Sequence, residues 1–431
     1  MSFFPGVIKN TLVQGLGRIS VALATIFATG ILTRVLGVSG FGTYVFITSF
    51  VLLFSAASDW GTGMISVREA SKDKKIEKKI FENIFFFRFI LAWFFFFLVN
   101  FLIRILPQFQ NFVSIGTIAS FLLFAYSLKT SFQVIFQTKL KFENVAFSEV
   151  FVSFFFLLFL VFGFSFLNLY WVFFFLVLVN FLGVIFSFFL AKKLVKIDFS
   201  FDFKIIKKIF LESLPTGALL LTFSIYNKVD VLILQIIKGS DPVGIYGLAY
   251  KIYDNLVLGA SYLVNSLFPI LSHFAAQKDF RQKLVLVYKK SFDVLFLASL
   301  TVVFLFFVFA PSVVEIIGGK EFSQSALALR ILVFAAIFSF LNHLTGFSLI
   351  ALGKQKISLI IALIALFWNV SLNFIFIPRY SYLASSGITI ATEFLVFLLT
   401  SFYLAKEFGF RPSLSFWKTL IEIIRNRGKI F

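Results

Sequence analysis

Long apolar segments alternate with short polar ones along the whole chain. Each apolar segment is long enough to cross a membrane as a helix of about 20 residues. Twelve such segments are found, at 10–36, 41–67, 83–105, 113–136, 146–166, 170–191, 214–238, 244–272, 288–318, 324–352, 357–377 and 385–405. The pattern predicts an all-α polytopic membrane protein with about twelve transmembrane helices.

Composition excludes several other classes of protein. Apolar residues make up 60% of the 431 residues and charged residues only 14%, whereas soluble domains average about 45–50% and 25%. So few polar residues cannot cover the surfaces of a soluble enzyme. Cysteine is absent, and the two histidines, His273 and His343, lie far apart in the sequence. We therefore expect no disulfide framework, no metal site and no other cofactor.

The basic residues orient the predicted helices. Of 39 lysines and arginines, 28 fall in the segments on one side of the twelve spans and five in the segments on the other side. Because lysine and arginine are enriched in cytoplasmic loops, this asymmetry places both termini in the cytoplasm. The net charge of +19 therefore indicates membrane orientation, and we expect no nucleic acid partner.

The longest inner connection has the pattern of an interfacial amphipathic helix. Ile205, Ile206 and Ile209 recur at helical spacing, with lysines between them. This connection divides the spans into six and six. The predicted organisation is an N-terminal six-helix lobe at 1–195, a cytoplasmic amphipathic connection at 196–213, and a C-terminal six-helix lobe with a short basic cytoplasmic tail at 214–431.

An internal repeat relates the two predicted lobes. Residues 32–46 read LTRVLGVSGFGTYVF and residues 234–248 read LQIIKGSDPVGIYGL, and both join the first two helices of a lobe. At a constant offset the two stretches share Leu32 with Leu234, Gly37 with Gly239, Gly42 with Gly244 and Tyr44 with Tyr246. A parallel repeat of this kind predicts two six-helix bundles around a central cavity.

Basic residues inside the spans are candidates for substrate binding, because a charge in lipid is costly unless it faces a cavity or a partner. Arg18 lies about 13 Å along its helix from Lys9. Lys228 is expected in the middle of the seventh span and Lys251 in the eighth. Bases in a membrane cavity suit an anionic substrate such as a phosphate or diphosphate. We therefore predict that Arg18, Lys228 and Lys251 bind the substrate.

Four acidic residues inside the spans are candidates for coupling to an ion: Asp59, Asp230, Asp254 and Glu393. Burial of a carboxylate suits uptake of a proton or of sodium. Asp59 is followed by Gly61 and Gly63, which permit a bend or close helix packing. Asp254 lies three residues after Lys251, so the two can instead form a structural pair on one face of a helix.

The remaining intramembrane bases have more ordinary explanations. Lys129 and Arg330 lie within reach of a helix end, so their side chains are expected to extend to the interface. Arg88, at the inner edge of its span, is expected to be structural. The predicted outer loops are short, and no nucleotide-binding motif occurs. We therefore expect transport and no enzymatic activity, and a membrane enzyme of glycan assembly is disfavoured.

Five motifs occur in an order that resembles one protein family. They are LTRVLGVSGFGTYVF, SDWGTGMISVREASK, VGIYGLAYKIYD, SLFPILSHFAA and ALGKQK. Together they resemble the Wzx-type polysaccharide biosynthesis (oligosaccharide or O-antigen) flippases of the multidrug/oligosaccharidyl-lipid/polysaccharide exporter (MOP) superfamily. The resemblance covers about 10–405.

This resemblance implies a function. A flippase of this family moves undecaprenyl-diphosphate-linked oligosaccharides from the inner to the outer leaflet of the bacterial inner membrane by alternating access, for O-antigen or capsule synthesis. The implied partners are a polyprenyl-diphosphate-linked glycan, membrane lipid, H⁺ or Na⁺, and polysaccharide polymerase or assembly proteins in loose association. The alternative is a cation-coupled multidrug or small-molecule antiporter of the same superfamily.

Overall fold

All regular elements that the structure describes are helices. The computed structural model describes residues 4–72, 74–195, 201–275 and 281–410. The all-α polytopic fold predicted from the sequence is confirmed. The chain divides into two compact units, Met1–Ile236 and Ile237–Phe431, and each is described by itself. The basic tail expected after residue 411 lies outside the described residues.

The helices follow one another with short connections. The first nine are α1 (Phe4–Asp59), α2 (Thr62–Lys72), α3 (Lys74–Ile105), α4 (Val113–Ser120), α5 (Leu122–Thr138), α6 (Phe142–Phe162), α7 (Leu169–Lys192), α8 (Phe203–Tyr226) and α9 (Val229–Lys238). The remaining four are α10 (Ser240–Ala275), α11 (Arg281–Gly318), α12 (Ser325–Ala351) and α13 (Gln355–Phe408).

The helices account for the twelve predicted spans. Within the described residues, nine helical segments are long and apolar enough to cross a membrane. Two of these, Gln14–Lys72 and Gln355–Phe408, each contain two predicted spans. They are broken by left-handed residues, Gly37 with φ 63° and Ser381 with φ 53°. Helix α10, Ser240–Ala275, supplies the twelfth span.

The repeat detected in the sequence has a structural counterpart in each unit. Gly37 and Gly239 both adopt a left-handed backbone, with φ 63° and 82°. Only glycine takes this conformation without a steric penalty. The paired tyrosines are both buried, with Tyr44 5% and Tyr246 0% exposed. Both copies of the repeat therefore contain a left-handed glycine turn followed by a buried tyrosine.

A hydrophobic cluster joins the ends of five helices in the first unit. It includes Ile65 of α2, Ile80 of α3, Ile135 of α5, Ala191 of α7 and Ile209 of α8. Burial of such side chains stabilises each by about 1.5–3 kcal/mol relative to exposure. The start of α8 is therefore part of the packed first unit.

The predicted amphipathic segment has the expected faces but is not a separate helix. Ile206 and Ile209 are buried, while Lys204 and Lys207 are exposed. The helix that begins at Phe203 continues without interruption to Tyr226, because Pro215 is accommodated within it. The expectation of a short interfacial helix was wrong in this respect, and residues 196–200 lie outside the described residues. The predicted boundaries of the lobes stay a prediction.

Candidate functional site

The second predicted span is broken where the sequence indicated a bend. Helix α1 ends at Asp59 and α2 begins at Thr62. Between them Trp60 and Gly61 adopt left-handed backbones, with φ 45° and 67°. A Cβ atom added to Gly61 would lie 2.8 Å from the backbone nitrogen of Gly217 in α8. The break therefore packs backbone to backbone against α8.

An arginine from α3 holds this break in place. The guanidinium of Arg88 forms an ion pair with the Asp59 carboxylate. Its Nε donates to Thr62 Oγ1 at 3.0 Å, and its Nη1 donates to Thr130 Oγ1 at 3.2 Å. Gly63 leaves room for the guanidinium, since a Cβ there would lie 2.9 Å from Arg88 Nη2. The sequence predicted a structural role for Arg88 but did not identify Asp59 as its partner.

A second group of charges ties α2 to α8 beyond the predicted span 41–67. The Glu69 carboxylate accepts hydrogen bonds from Lys72 at 2.7 Å and from Lys208 at 2.9 Å, and Arg68 donates to it at 3.1 Å. These hydrogen bonds, that of Lys72 first and then that of Lys208, lower the pKa of Glu69 to about 2. The carboxylate is therefore ionised at neutral pH and holds Lys208 of α8.

The structure places two of the predicted substrate-binding bases in different local settings. Arg18 is partly buried in α1. The neighbouring Gly17 packs on α6, where its added Cβ would lie 2.8 Å from Ala146 Cβ. Lys228 is also partly buried, but it lies in the turn between α8 and α9. The expectation that Lys228 lies in the middle of a helix was wrong.

The seventh span is interrupted at Asn227 and Lys228, between the end of α8 and the start of α9. The Asn227 side chain donates to the Phe223 carbonyl at 2.9 Å, and the same carbonyl accepts the Asn227 N–H at 3.0 Å. Asp230 is 3% exposed, and its Oδ1 accepts a hydrogen bond from the Val231 N–H at 2.8 Å. It therefore sits in the first turn of α9, where the helix dipole favours a negative charge. Broken helices of this kind form binding sites in many transporters.

The second unit brings together two of the four predicted coupling acids. The Tyr253 hydroxyl is 2.6 Å from the Ser339 hydroxyl. It also lies within electrostatic reach of the Glu393 and Asp254 carboxylates. Asn342 Nδ2 donates to Glu393 Oε2 at 2.7 Å. The sequence had identified the two acids because they are ionisable residues within membrane spans. It did not identify Tyr253, Ser339 or Asn342, which are uncharged.

The same group contains an oxygen that could accept a further bond. Asn342 Oδ1 is buried and has no hydrogen-bond partner in the part of the chain that the structure describes. Lys251 is partly buried one turn before Asp254, which is itself exposed. We call Tyr253, Asp254, Ser339, Asn342 and Glu393 the α10–α12–α13 polar cluster. Its oxygen atoms are the ligand type that hard cations prefer.

The remaining intramembrane bases pack on aromatic rings. Lys129 Nζ lies 5.5 Å from the centre of the Tyr126 ring and within electrostatic reach of Glu149. Arg330 Nε donates to the Phe307 carbonyl at 3.1 Å, and its guanidinium lies 5.5 Å from the Phe307 ring.

Among the described residues, no group of three or more histidine, cysteine or acidic side chains could hold a metal ion.

Comparison with known sequences identifies relatives of this chain. A family model described as "Polysaccharide biosynthesis protein" matches residues 7–275, and a model named MatE matches residues 215–375. The chain is 25% identical over 217 residues to the capsular polysaccharide biosynthesis protein CapF of Staphylococcus aureus, covering 49% of this chain and 53% of CapF. It is 24% identical over 201 residues to the probable low-salt glycan biosynthesis flippase Agl15 of Haloferax volcanii, covering 46% of this chain and 42% of Agl15. The matches thus span about half the length of these relatives.

Solved structures share the fold over nearly the whole chain. A multidrug resistance MATE family transporter of the MOP superfamily, in an inward-facing conformation, superposes with a TM-score of 0.76 at 15% identity, covering 94% of this chain and 99% of that one. The lipid II flippase MurJ, in an inward closed conformation, gives a TM-score of 0.72 at 13% identity, with 96% and 93% covered. At these identities the likeness establishes the fold. With the family match over more than half of the residues, it follows that the chain is a multi-pass membrane protein that belongs to the polysaccharide biosynthesis protein family.

Proposed function

We propose that this protein is a flippase that moves an undecaprenyl-diphosphate-linked oligosaccharide from the cytoplasmic to the outer leaflet of the bacterial inner membrane. Both termini would lie in the cytoplasm. The relatives named for capsular polysaccharide and glycan synthesis support the glycan substrate. The observation that carries the proposal is the presence of Arg18 and Lys228 within membrane-spanning segments, with Lys228 at a helix break.

The two bases suit a diphosphate for different reasons. Arginine engages phosphate oxygens through a planar fork of donors, and lysine acts as a mobile point charge. The break at Asn227 and Lys228 frees backbone groups that a continuous helix would use. Lys251 is a third base, in α10 of the second unit. These bases would bind the charged diphosphate of the lipid carrier. The identity of the sugar would then not be fixed by this contact.

Replacing the two bases is expected to abolish most of the transport. Arg18→Gln should reduce flipping by about tenfold or more, since charge-assisted hydrogen bonds contribute roughly 1.5–3 kcal/mol. Arg18→Lys should retain part of the activity because the charge remains. Lys228→Gln should act in the same direction. The measurement is flipping of a polyprenyl-diphosphate glycan in proteoliposomes, with matched protein incorporation.

Arg330→Gln provides a matched control for these variants. Arg330 is an intramembrane arginine whose Nε bonds to the Phe307 carbonyl, so its loss should leave transport close to that of the wild type. If a well-folded Arg18→Gln, Lys228→Gln double variant flips the glycan as fast as Arg330→Gln does, these bases do not bind the substrate.

The second part of the proposal is coupling to H⁺ or Na⁺ through one or more of Asp59, Asp230, Asp254 and Glu393. Their settings differ. Asp59 pairs with Arg88, and Asp230 accepts a hydrogen bond from its own helix. Glu393 instead accepts from a neutral amide within the α10–α12–α13 polar cluster. The cluster gathers hydroxyl, amide and carboxylate oxygens, which are the ligand type that hard cations prefer. We therefore place the coupling function at Glu393.

Glu393→Gln is expected to remove the dependence of transport on an ion gradient. The amide keeps the size of the side chain but can neither lose a proton nor neutralise a cation. Transport under a proton or sodium gradient should fall to the rate without a gradient, whereas wild-type transport should respond. If all four single Asn or Gln variants respond to the gradient as the wild type does, the coupling proposal fails. If single variants of Lys251 and Asp254 lose activity and a double variant with the two charges exchanged regains it, this pair is structural.

One experiment separates the proposed function from its alternative. The match of the MatE model to residues 215–375 favours, as second candidate, a cation-coupled multidrug or small-molecule antiporter. A strain that lacks the gene should accumulate lipid-linked glycan in the inner leaflet if the protein is the flippase. Normal leaflet distribution together with increased drug sensitivity would support the antiporter instead. We propose an association with polymerase or assembly proteins only for the flippase, not for the antiporter.

A further inference from the structure

Four lysines near one end of the first unit have no acidic partner among the residues that the structure describes. They are Lys192 and Lys193, at the end of α7, and Lys204 and Lys207, in the first turns of α8. All four are exposed, and none forms an ion pair with a described residue. The neighbouring Lys208, by contrast, pairs with Glu69 at 2.9 Å. The four exposed charges therefore face outward, where a ligand from outside the chain can reach them.

The packing of the helix ends brings these lysines to one surface. Ala191 of α7 and Ile209 of α8 belong to the same hydrophobic cluster, and Leu194 and Ile205 pack against it. Local contacts fix the start of α8. The Asp202 side chain accepts from the Lys204 N–H at 2.9 Å, and the Asn83 side chain accepts from the Asp202 N–H. The lysines are thus carried on backbone whose position is set by the first unit.

Apolar side chains are exposed beside the lysines on α8. Phe203 is 64% and Leu211 51% exposed, which would be unfavourable if they faced water. At a membrane boundary such side chains enter the acyl region, while lysines extend to the headgroups. We call Lys192, Lys193, Lys204, Lys207 and Phe203 the α7–α8 lysine surface. Its positive charge complements a negatively charged lipid.

We propose that the α7–α8 lysine surface binds anionic phospholipid headgroups of the surrounding bilayer. The ligand is a lipid phosphate and not the transported glycan, so the inference does not depend on the proposed function. Because Lys208 of the same helix pairs with Glu69 of α2, a lipid held at the start of α8 would also steady α2 beside the helix break. Anionic lipid should therefore raise the thermal stability of the protein.

The experiment measures lipid binding to the purified full-length chain. Native mass spectrometry in detergent, with added phosphatidylglycerol or phosphatidylcholine, gives the affinity for each lipid. Lys204→Gln, Lys207→Gln should weaken phosphatidylglycerol binding by about fivefold for each lysine removed. Lys204→Arg, Lys207→Arg should retain binding, which shows that the double glutamine variant acts through charge.

The chain offers a matched control for loss of positive charge. Lys139 and Lys141 follow α5, whose last turns pack in the same hydrophobic cluster. Both already have acidic partners, Glu77 at 2.6 Å and Glu143 at 3.4 Å. Lys139→Gln, Lys141→Gln removes the same charge and should leave phosphatidylglycerol affinity nearly unchanged.

Three results would overturn the proposal. The first is an equal loss of affinity in the 204/207 and 139/141 variants, which would indicate a general effect of net charge. The second is equal binding of phosphatidylcholine and phosphatidylglycerol. The third is complete competition by millimolar inorganic phosphate, which would indicate a site for free anions. Unfolding temperatures measured without added lipid verify that all variants are folded.

Discussion

Asp59→Asn is expected to be among the most destabilising single changes in the first unit. The Arg88 side chain is 1% exposed and would keep its charge without a counter-charge. Removing one member of a buried ion pair costs roughly 3–5 kcal/mol, because the remaining charge is left desolvated. The neutral hydroxyls of Thr62 and Thr130 that accept from Arg88 cannot replace the carboxylate. We expect a clear loss of thermal stability in detergent, measured by size-exclusion chromatography after heating.

The reverse change, Arg88→Met, should cost less. The Asp59 side chain is 31% exposed and that of Arg88 only 1%, so the charge left behind is less buried once the guanidinium is gone. The hydroxyls that accept from Arg88 keep bonds of their own, since Thr62 donates to the Asp59 carbonyl at 2.6 Å and Thr130 to the Ser127 carbonyl at 3.1 Å. The Asp59→Asn, Arg88→Met double variant should be more stable than Asp59→Asn alone. A double variant no better than that single variant would contradict a direct pair.

The same single and double variants of Asp59 and Arg88 also test whether Asp59 binds the coupling ion. If the double variant regains both its stability and a response to the ion gradient, the Asp59 carboxylate is structural and coupling lies elsewhere. The α10–α12–α13 polar cluster around Glu393 is then the favoured site for coupling. If stability returns but the gradient response does not, Asp59 itself carries the ion.

The sequence predicts those features that depend on local pattern. Transmembrane spans depend on hydropathy over about 20 residues, and a turn such as that at Gly37 depends on a single residue that tolerates a left-handed backbone. The bend after Asp59 was anticipated for the same reason, from Gly61 and Gly63. The buried and exposed faces at the start of α8 likewise follow from helical spacing of isoleucine and lysine.

The sequence does not predict features that depend on which helices are neighbours. Arg88 and Asp59 lie 29 residues apart, and Asn342 and Glu393 lie 51 residues apart. Nothing in either local sequence indicates the other. The interruption at Lys228 was missed for a different reason. Hydropathy averaged over a span does not register a break of two residues between two helices.

Gly217→Val is expected to separate α8 from the helix break. A Cβ at Gly217 would lie 2.6 Å from the Trp60 carbonyl oxygen, and one at Gly61 would lie 2.8 Å from the Gly217 nitrogen. These neighbours are backbone atoms, so they cannot move aside without shifting a helix. Even Gly217→Ala should destabilise the protein by about 1–3 kcal/mol, as overpacking does. A glycine in an open helix position would instead gain roughly 0.5–1 kcal/mol on replacement by alanine.

Gly15 of α1 supplies the control for that prediction, because nothing lies within 4 Å of a Cβ added there. Gly15→Ala should leave the unfolding temperature unchanged or slightly raised. The absence of cysteine allows a direct probe of the contact between α8 and the break. Ser213 of α8 is 0% exposed, so Ser213→Cys should resist maleimide in an otherwise wild-type chain and react once Gly217→Val is added. A cysteine at 213 that stays protected in the Gly217→Val background, with unchanged stability, would show that the glycines do not hold the two segments together.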